Sequence, residues 1–140
     1  MRRCLDNDNV RLISFGIRNI STEEIPFLQE ESHRITIHWA HERQKWNLSD
    51  LRNLLAGRPV YLTVDVDGFD SSLMPATGTP EPGGMFWDDA IAIIQAVSAC
   101  SRIVGADIVE LAPAAGFHSC DFLAAKLAYR ILTFAQESVR

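Results

Sequence analysis

Short apolar runs alternate with longer amphipathic stretches along this chain. "RLISFGI" (Arg11 to Ile17), "RITIHW" (Arg34 to Trp39), Val60 to Val66 and "IVGADIV" (Ile103 to Val109) are β-branched or aromatic enough to predict four strands. Helical segments lie between and after them. Ser21 and Glu24 form a capping-box pattern, but Pro26 follows too closely for a regular first turn, which predicts a late start or a kink. "LSDLRNLLA" (Leu48 to Ala56) stops at Gly57, and Pro59 prevents its resumption. Asp88 and Asp89 sit where negative charge suits the start of the helix "WDDAIAIIQAVSAC". A last helix, from about Ser119 to Ser138, places Ala124, Leu127, Ala128, Ile131 and Ala135 on one stripe. This order predicts an α/β fold: a mostly parallel sheet of about four strands with helices on both faces.

Composition narrows the class. With 140 residues, 47% hydrophobic and 22% charged, the chain fits a single domain spanning residues 1–140, and no linker or repeat divides it. No apolar run approaches the roughly 18 residues needed to cross a bilayer. The N-terminal "MRRCLDNDNV" lacks the apolar core of an export signal, so a cytoplasmic location is expected. A net charge of −5 with scattered arginines argues against nucleic acid or a membrane surface as partner. Cys4, Cys100 and Cys120 have no C-x-x-C spacing and read as buried or incidental thiols.

The stretch "YLTVDVDGFDSSLMPATGTPEPGG" (Tyr61 to Gly84) carries the chemistry. Strand alternation would point Asp65 and Asp67 the same way at the strand's C-terminal end, where open α/β sheets place their sites. Two adjacent carboxylates call for a proton or a cation between them, and a hard divalent ion suits their oxygens. Taken alone, D-x-D reads equally well as a capped turn. The loop that follows is short-chained at Thr77, Gly78 and Thr79 and stiffened by Pro75, Pro80 and Pro82, which fits one wall of a small-molecule pocket. "GADIVELAP" repeats the design: a strand ending in Glu110, which enters the same crevice if the two strands are neighbours and could there pair with a cationic group.

Together "VDVDGFD" (64–70), "ATGTPEPGG" (76–84), "DIVELAP" (107–113) and "FLAAKLAY" (122–129), with "FGIRNIS" (15–21) as a weaker collinear match, resemble the C-terminal half of the ureohydrolase family. These are the arginase and agmatinase amidinohydrolases, with agmatinase the nearer in pattern. The resemblance implies a three-layer α/β/α fold and hydrolysis of a guanidino compound, agmatine first, to urea and an amine at two manganese ions. It implies Asp65 as the carboxylate bridging both metals, Asp67 as a ligand to one, Glu110 as the group that binds guanidinium, and Asp70, Thr77 and Thr79 as residues that shape the site.

The departures define a second expectation. Further metal ligands that the family carries in G-G-D-H and D-x-H-x-D segments are missing, and so is a catalytic histidine. His33, His38, His41 and His118 lie outside any such pattern, and His38 and His41 read as surface or strand-end residues. No catalytic residue is therefore assigned. Ser71 stands where the family usually has proline, which should alter loop stiffness and not ligation. Met1 resembles an interior position of the longer family chain. The alternative is a non-catalytic fragment with at most a weak divalent-ion site. The expected partners are a small guanidino substrate and either a second copy or the missing N-terminal half.

Overall fold

The structure, a computed structural model, describes residues 2–138. The chain gathers into two compact units, Met1–Trp46 and Asn47–Arg140.

In the first unit β1 (Leu12–Ile17) pairs in parallel with β2 (Ile35–Trp39). Gly16, at φ +78°, occupies the point where the register slips between Phe15 and Ile17, a bulge that glycine accommodates without strain. The connecting helix α1 (Ile25–Glu30) begins late, as expected. A 3-10 turn at Thr22–Glu24 precedes it, Ser21 N–H donates to the Glu24 carboxylate at 3.2 Å, and Pro26 falls in the first α-turn where its missing N–H costs nothing. Arg34 ties the unit's N-terminal turn down by donating to the carbonyls of Leu5 (2.8 Å) and Asn7 (3.0 Å).

In the second unit β3 (Val60–Asp65) pairs in parallel with β4 (Ile103–Val109). Helix α2 (Leu51–Leu55) precedes β3, α3 (Trp87–Cys100) leads into β4, and α4 (His118–Glu137) closes the chain. The segment read as one helix from Leu48 to Ala56 divides: Leu48–Asp50 is a 3-10 turn capped by Asn47, and left-handed Ala56 and Gly57 end the α-helix. On α4 the expected stripe holds at Ala124, Leu127 and Ile131, which are buried, but Cys120 and Phe134 join them while Ala128 and Ala135 are only half-buried. The face of α4 opposite that stripe exposes Phe122, Tyr129 and Leu132.

The strands are parallel as the alternation predicts, but the single sheet of about four strands resolves into two two-stranded sheets. Each strand pairs only with its sequence neighbour across one crossover, so each keeps an unpaired edge among the described residues. No described helix is long and apolar enough to cross a membrane.

Candidate functional site

Asp65 stands opposite Val109 in the β3–β4 ladder, so Asp65 and Glu110 leave the sheet at the same, C-terminal, end. The neighbouring strands thus meet the condition on which the sequence put Glu110 beside the aspartates. Asp65 closes β3, and its Oδ1 accepts the Asp67 N–H at 3.1 Å, capping a single 3-10 turn at Val66–Gly68. Strand alternation therefore does not place Asp67, which lies in the turn beyond the strand. A short carboxylate captures the N–H two residues on and ends the extended backbone there. The fully buried Val66 anchors that turn from below.

The cap still keeps the two carboxylates together. Asp65 has its pKa raised to about 6, with partial desolvation as the largest cause. The bond from the Asp67 N–H opposes the rise, while the Asp67 carboxylate adds to it by repulsion and by a hydrogen bond that favours the protonated form, and Glu110 repels from further off. Asp67 is oriented from the loop, its Oδ2 accepting the Thr79 hydroxyl at 2.8 Å.

Asp70 behaves differently. Its Oδ1 accepts both the hydroxyl and the N–H of Ser72, and its Oδ2 accepts the Gly83 N–H at 2.7 Å. These donors, the Ser72 hydroxyl first and the Gly84 N–H among them, lower its pKa to about 2. Asp70 N–H donates to Met85 O and Met85 N–H to Gly68 O, both at 2.9 Å, so the loop's two ends are zipped together. Ser71 contributes its N–H to Glu81 O at 3.2 Å, a bond proline could not make. Phe69, Met74, Ala76 and Met85 are buried beneath the loop and fix it.

Thr77 is buried, and its hydroxyl donates to the Glu110 carbonyl at 2.9 Å. Beside that bond Thr77 bridges Leu111, and Ala112 N–H donates to Ala76 O at 2.9 Å. Glu110 itself adopts φ +66°, a left-handed conformation rare for a residue with a long side chain. Nothing in the sequence signalled this backbone or the Thr77 bond to it.

The histidines stand elsewhere. His38 on β2 is half-buried and stacks on Phe15 with ring centroids 4.1 Å apart, Trp46 closing edge-on against Phe15 at 5.2 Å. His33, His41 and His118 are exposed. Of the thiols, Cys4 is exposed, Cys100 half-buried and Cys120 buried.

The order and spacing of these segments have counterparts in known proteins. A sequence profile of the Arginase family matches residues 1–133. The chain belongs to the arginase family. The N(1)-aminopropylagmatine ureohydrolase of Synechocystis sp. is 34% identical over all of this chain, which covers 45% of that protein. The agmatinase of Pyrococcus horikoshii is 33% identical over 88% of this chain and 42% of its own length. Among solved structures, the agmatine ureohydrolase of Thermoplasma volcanium superposes with a TM-score of 0.80 at 32% identity, covering 97% of this chain and 46% of that one. This arginase-family chain thus spans somewhat under half the length of these relatives.

The arginase family is known for a binuclear metal site. In this chain the donor chemistry suits a share of such a site, since Asp65 and Asp67 offer adjacent hard oxygens and the raised Asp65 pKa marks a place where positive charge would be welcome. The donor number does not suit a whole one: among the described residues no group of three or more His, Cys, Asp or Glu side chains is arranged to hold a metal ion.

Proposed function

We propose that this chain supplies the C-terminal share of an amidinohydrolase site that hydrolyses a guanidino compound, agmatine foremost, to urea and an amine. The observation that carries the proposal is the convergence of Asp65, Asp67 and Glu110 at one end of two paired parallel strands, in a chain whose relatives include agmatinases. In this reading Asp65 and Asp67 are carboxylate ligands of a manganese pair, and the remaining ligands come from outside the chain. When bound, such a pair supplies water activated near neutral pH. This chain's own part is to present two carboxylates for the metals and the Glu110 carboxylate, whose two oxygens match the paired N–H groups of a guanidinium.

In a second reading Asp65 and Asp67 by themselves leave a metal pair under-coordinated, and the isolated chain is inactive with at most weak divalent-ion binding. The two readings agree if the site is completed by another segment, and the unpaired strand edges and the exposed Phe122, Tyr129 and Leu132 offer surface for such association. Light scattering that finds only monomer at all concentrations would count against self-association.

The functional test is urea release from agmatine with Mn2+ present, run on this chain alone and, where an in-frame coding sequence precedes it, on the chain so extended. Turnover by the extended protein that disappears in Asp65→Asn is expected. Absence of turnover in both forms, or turnover that survives Asp65→Asn, would overturn the assignment.

A further inference from the structure

We infer that Thr77 is a positioning residue for Glu110, its buried hydroxyl holding the Glu110 main chain in the left-handed conformation that sets where the Glu110 carboxylate stands. The functional weight of this inference rests on the reading of Glu110 as the guanidinium-binding group.

A left-handed backbone is unfavourable for any residue with a Cβ, and it persists only where its surroundings fix it. Glycine would sit at φ +66° without strain but would bring no carboxylate, so a glutamate there points to a need for its side chain. The surroundings that fix it come from one loop. Thr77 Oγ1 holds the Glu110 carbonyl at 2.9 Å, and the Thr77–Leu111 bridge and the Ala112 N–H bond to Ala76 O clamp the next two residues. Thr77 is only 9% exposed, so water is poorly placed to replace its hydroxyl. Without that bond only the clamp on Leu111 and Ala112 opposes return of Glu110 to an extended φ, which would rotate the side chain away from its present direction. The fixed backbone also keeps the Glu110 charge within range of Asp65.

The test uses isotope-labelled chain and two variants, Thr77→Val, which keeps shape and removes the hydroxyl, and Thr77→Ser, which keeps the hydroxyl. The one-bond Cα–Hα coupling of Glu110 distinguishes positive from negative φ, and hydrogen exchange reports the Ala112 N–H. The parent and Thr77→Ser should show the positive-φ coupling and a protected Ala112 N–H. Thr77→Val should lose the coupling and exchange at least tenfold faster. Glu110→Gly supplies an independent arm, because a glycine needs no holding: the loss of melting temperature caused by Thr77→Val should shrink by half or more in the Glu110→Gly background. A threonine that merely packs would cost the same in both backgrounds, and that result, or an unchanged Glu110 coupling in Thr77→Val, would overturn the inference. Should Thr77→Val fail to fold alone, the inference requires that the Thr77→Val, Glu110→Gly double variant fold, and its failure would refute it. None of these readouts uses hydrolysis, so a failure of the proposed activity and a failure of the Thr77 role are told apart.

Discussion

Asp65 and Asp70 stand five positions apart in one segment and answer opposite demands. Asp70 receives N–H and O–H donors from Ser72, Gly83 and Gly84, and its pKa falls to about 2. Asp65 is partly desolvated, receives one N–H beside a second carboxylate with Glu110 beyond, and its pKa rises to about 6. A carboxylate surrounded by donors is being used to fold the chain, and one surrounded by acceptors waits for charge from elsewhere. Identity as aspartate near a strand end does not separate the two roles; the donors around each do.

The largest effect expected from this contrast is on chemistry. In a protein that turns over agmatine, Asp65→Asn combined with Asp67→Asn should lower urea release more than about a hundredfold, since even residues behind metal ligands cost 10–100-fold. Circular dichroism should show the fold unchanged, and a folded variant with parental activity would erase the distinction between the two aspartates.

Asp70→Ala should act on stability instead. It takes their acceptor from the N–H groups of Ser72, Gly83 and Gly84, and because the Ser72 and Gly83 bonds are exposed and water can replace it there, a loss of about 0.5–1.5 kcal/mol is expected in denaturant unfolding. Limited proteolysis within residues 71–84 should accelerate with it. An Asp70→Ala protein as stable as its parent would mean that buried Met74 and Met85 hold the loop unaided.

Acidity should separate the aspartates again. The folded pKa of Asp65 lies above its ordinary value of 3.8, so in metal-free protein its contribution to stability is fully present below pH 3.8 and is lost as pH rises through about 6. Asp70 is displaced downward, so its contribution is present above pH 3.8 and is lost as pH falls through about 2. Melting temperatures measured across this range should therefore gain a component on acidification from pH 7 to 4 that Asp65→Asn removes and Asp70→Asn leaves in place. The reverse assignment would show that the surroundings of the two carboxylates have been exchanged in this account.

The smallest effect concerns Ser71. Ser71→Pro forfeits the bond from Ser71 N–H to Glu81 O, about 0.5–1.5 kcal/mol, and recovers about 0.4–1 kcal/mol by stiffening the unfolded chain. A net change below about 1 kcal/mol is expected by thermal unfolding. A larger loss would show that this N–H bond matters to the loop as much as the Asp70 carboxylate does.

Much of this architecture was legible because apolar periodicity and punctuation are local signals. Ile103 to Val109 was bounded to the residue, and left-handed Gly57 does follow its helix, although the left-handed cap itself is Ala56. The nearness of the three candidate acids, Asp65, Asp67 and Glu110, was also legible, though for Asp67 not by alternation, which assumes that the strand continues: Asp65 ends it by taking the Asp67 N–H. Pairing was less legible, because hydrogen bonds between strands distant in sequence depend on which other strands are present, and the expected sheet resolved into two pairs. Least legible was the backbone of Glu110. A glutamate carries no mark of left-handed φ, and the Thr77 hydroxyl that meets its carbonyl lies 33 residues away in the chain.

The most direct test of the central claim, that Asp65 and Asp67 are ligands and Asp70 is a fastener, is a Mn2+ titration of the purified chain followed by loss of the free-ion electron paramagnetic resonance signal. The parent, Asp65→Asn with Asp67→Asn, and Asp70→Asn would be compared at equal concentration. Weak uptake is expected of the parent, the same uptake of Asp70→Asn after correction for folded fraction, and none of the double variant. Uptake that survives the double variant, or that vanishes with Asp70→Asn alone, would contradict it.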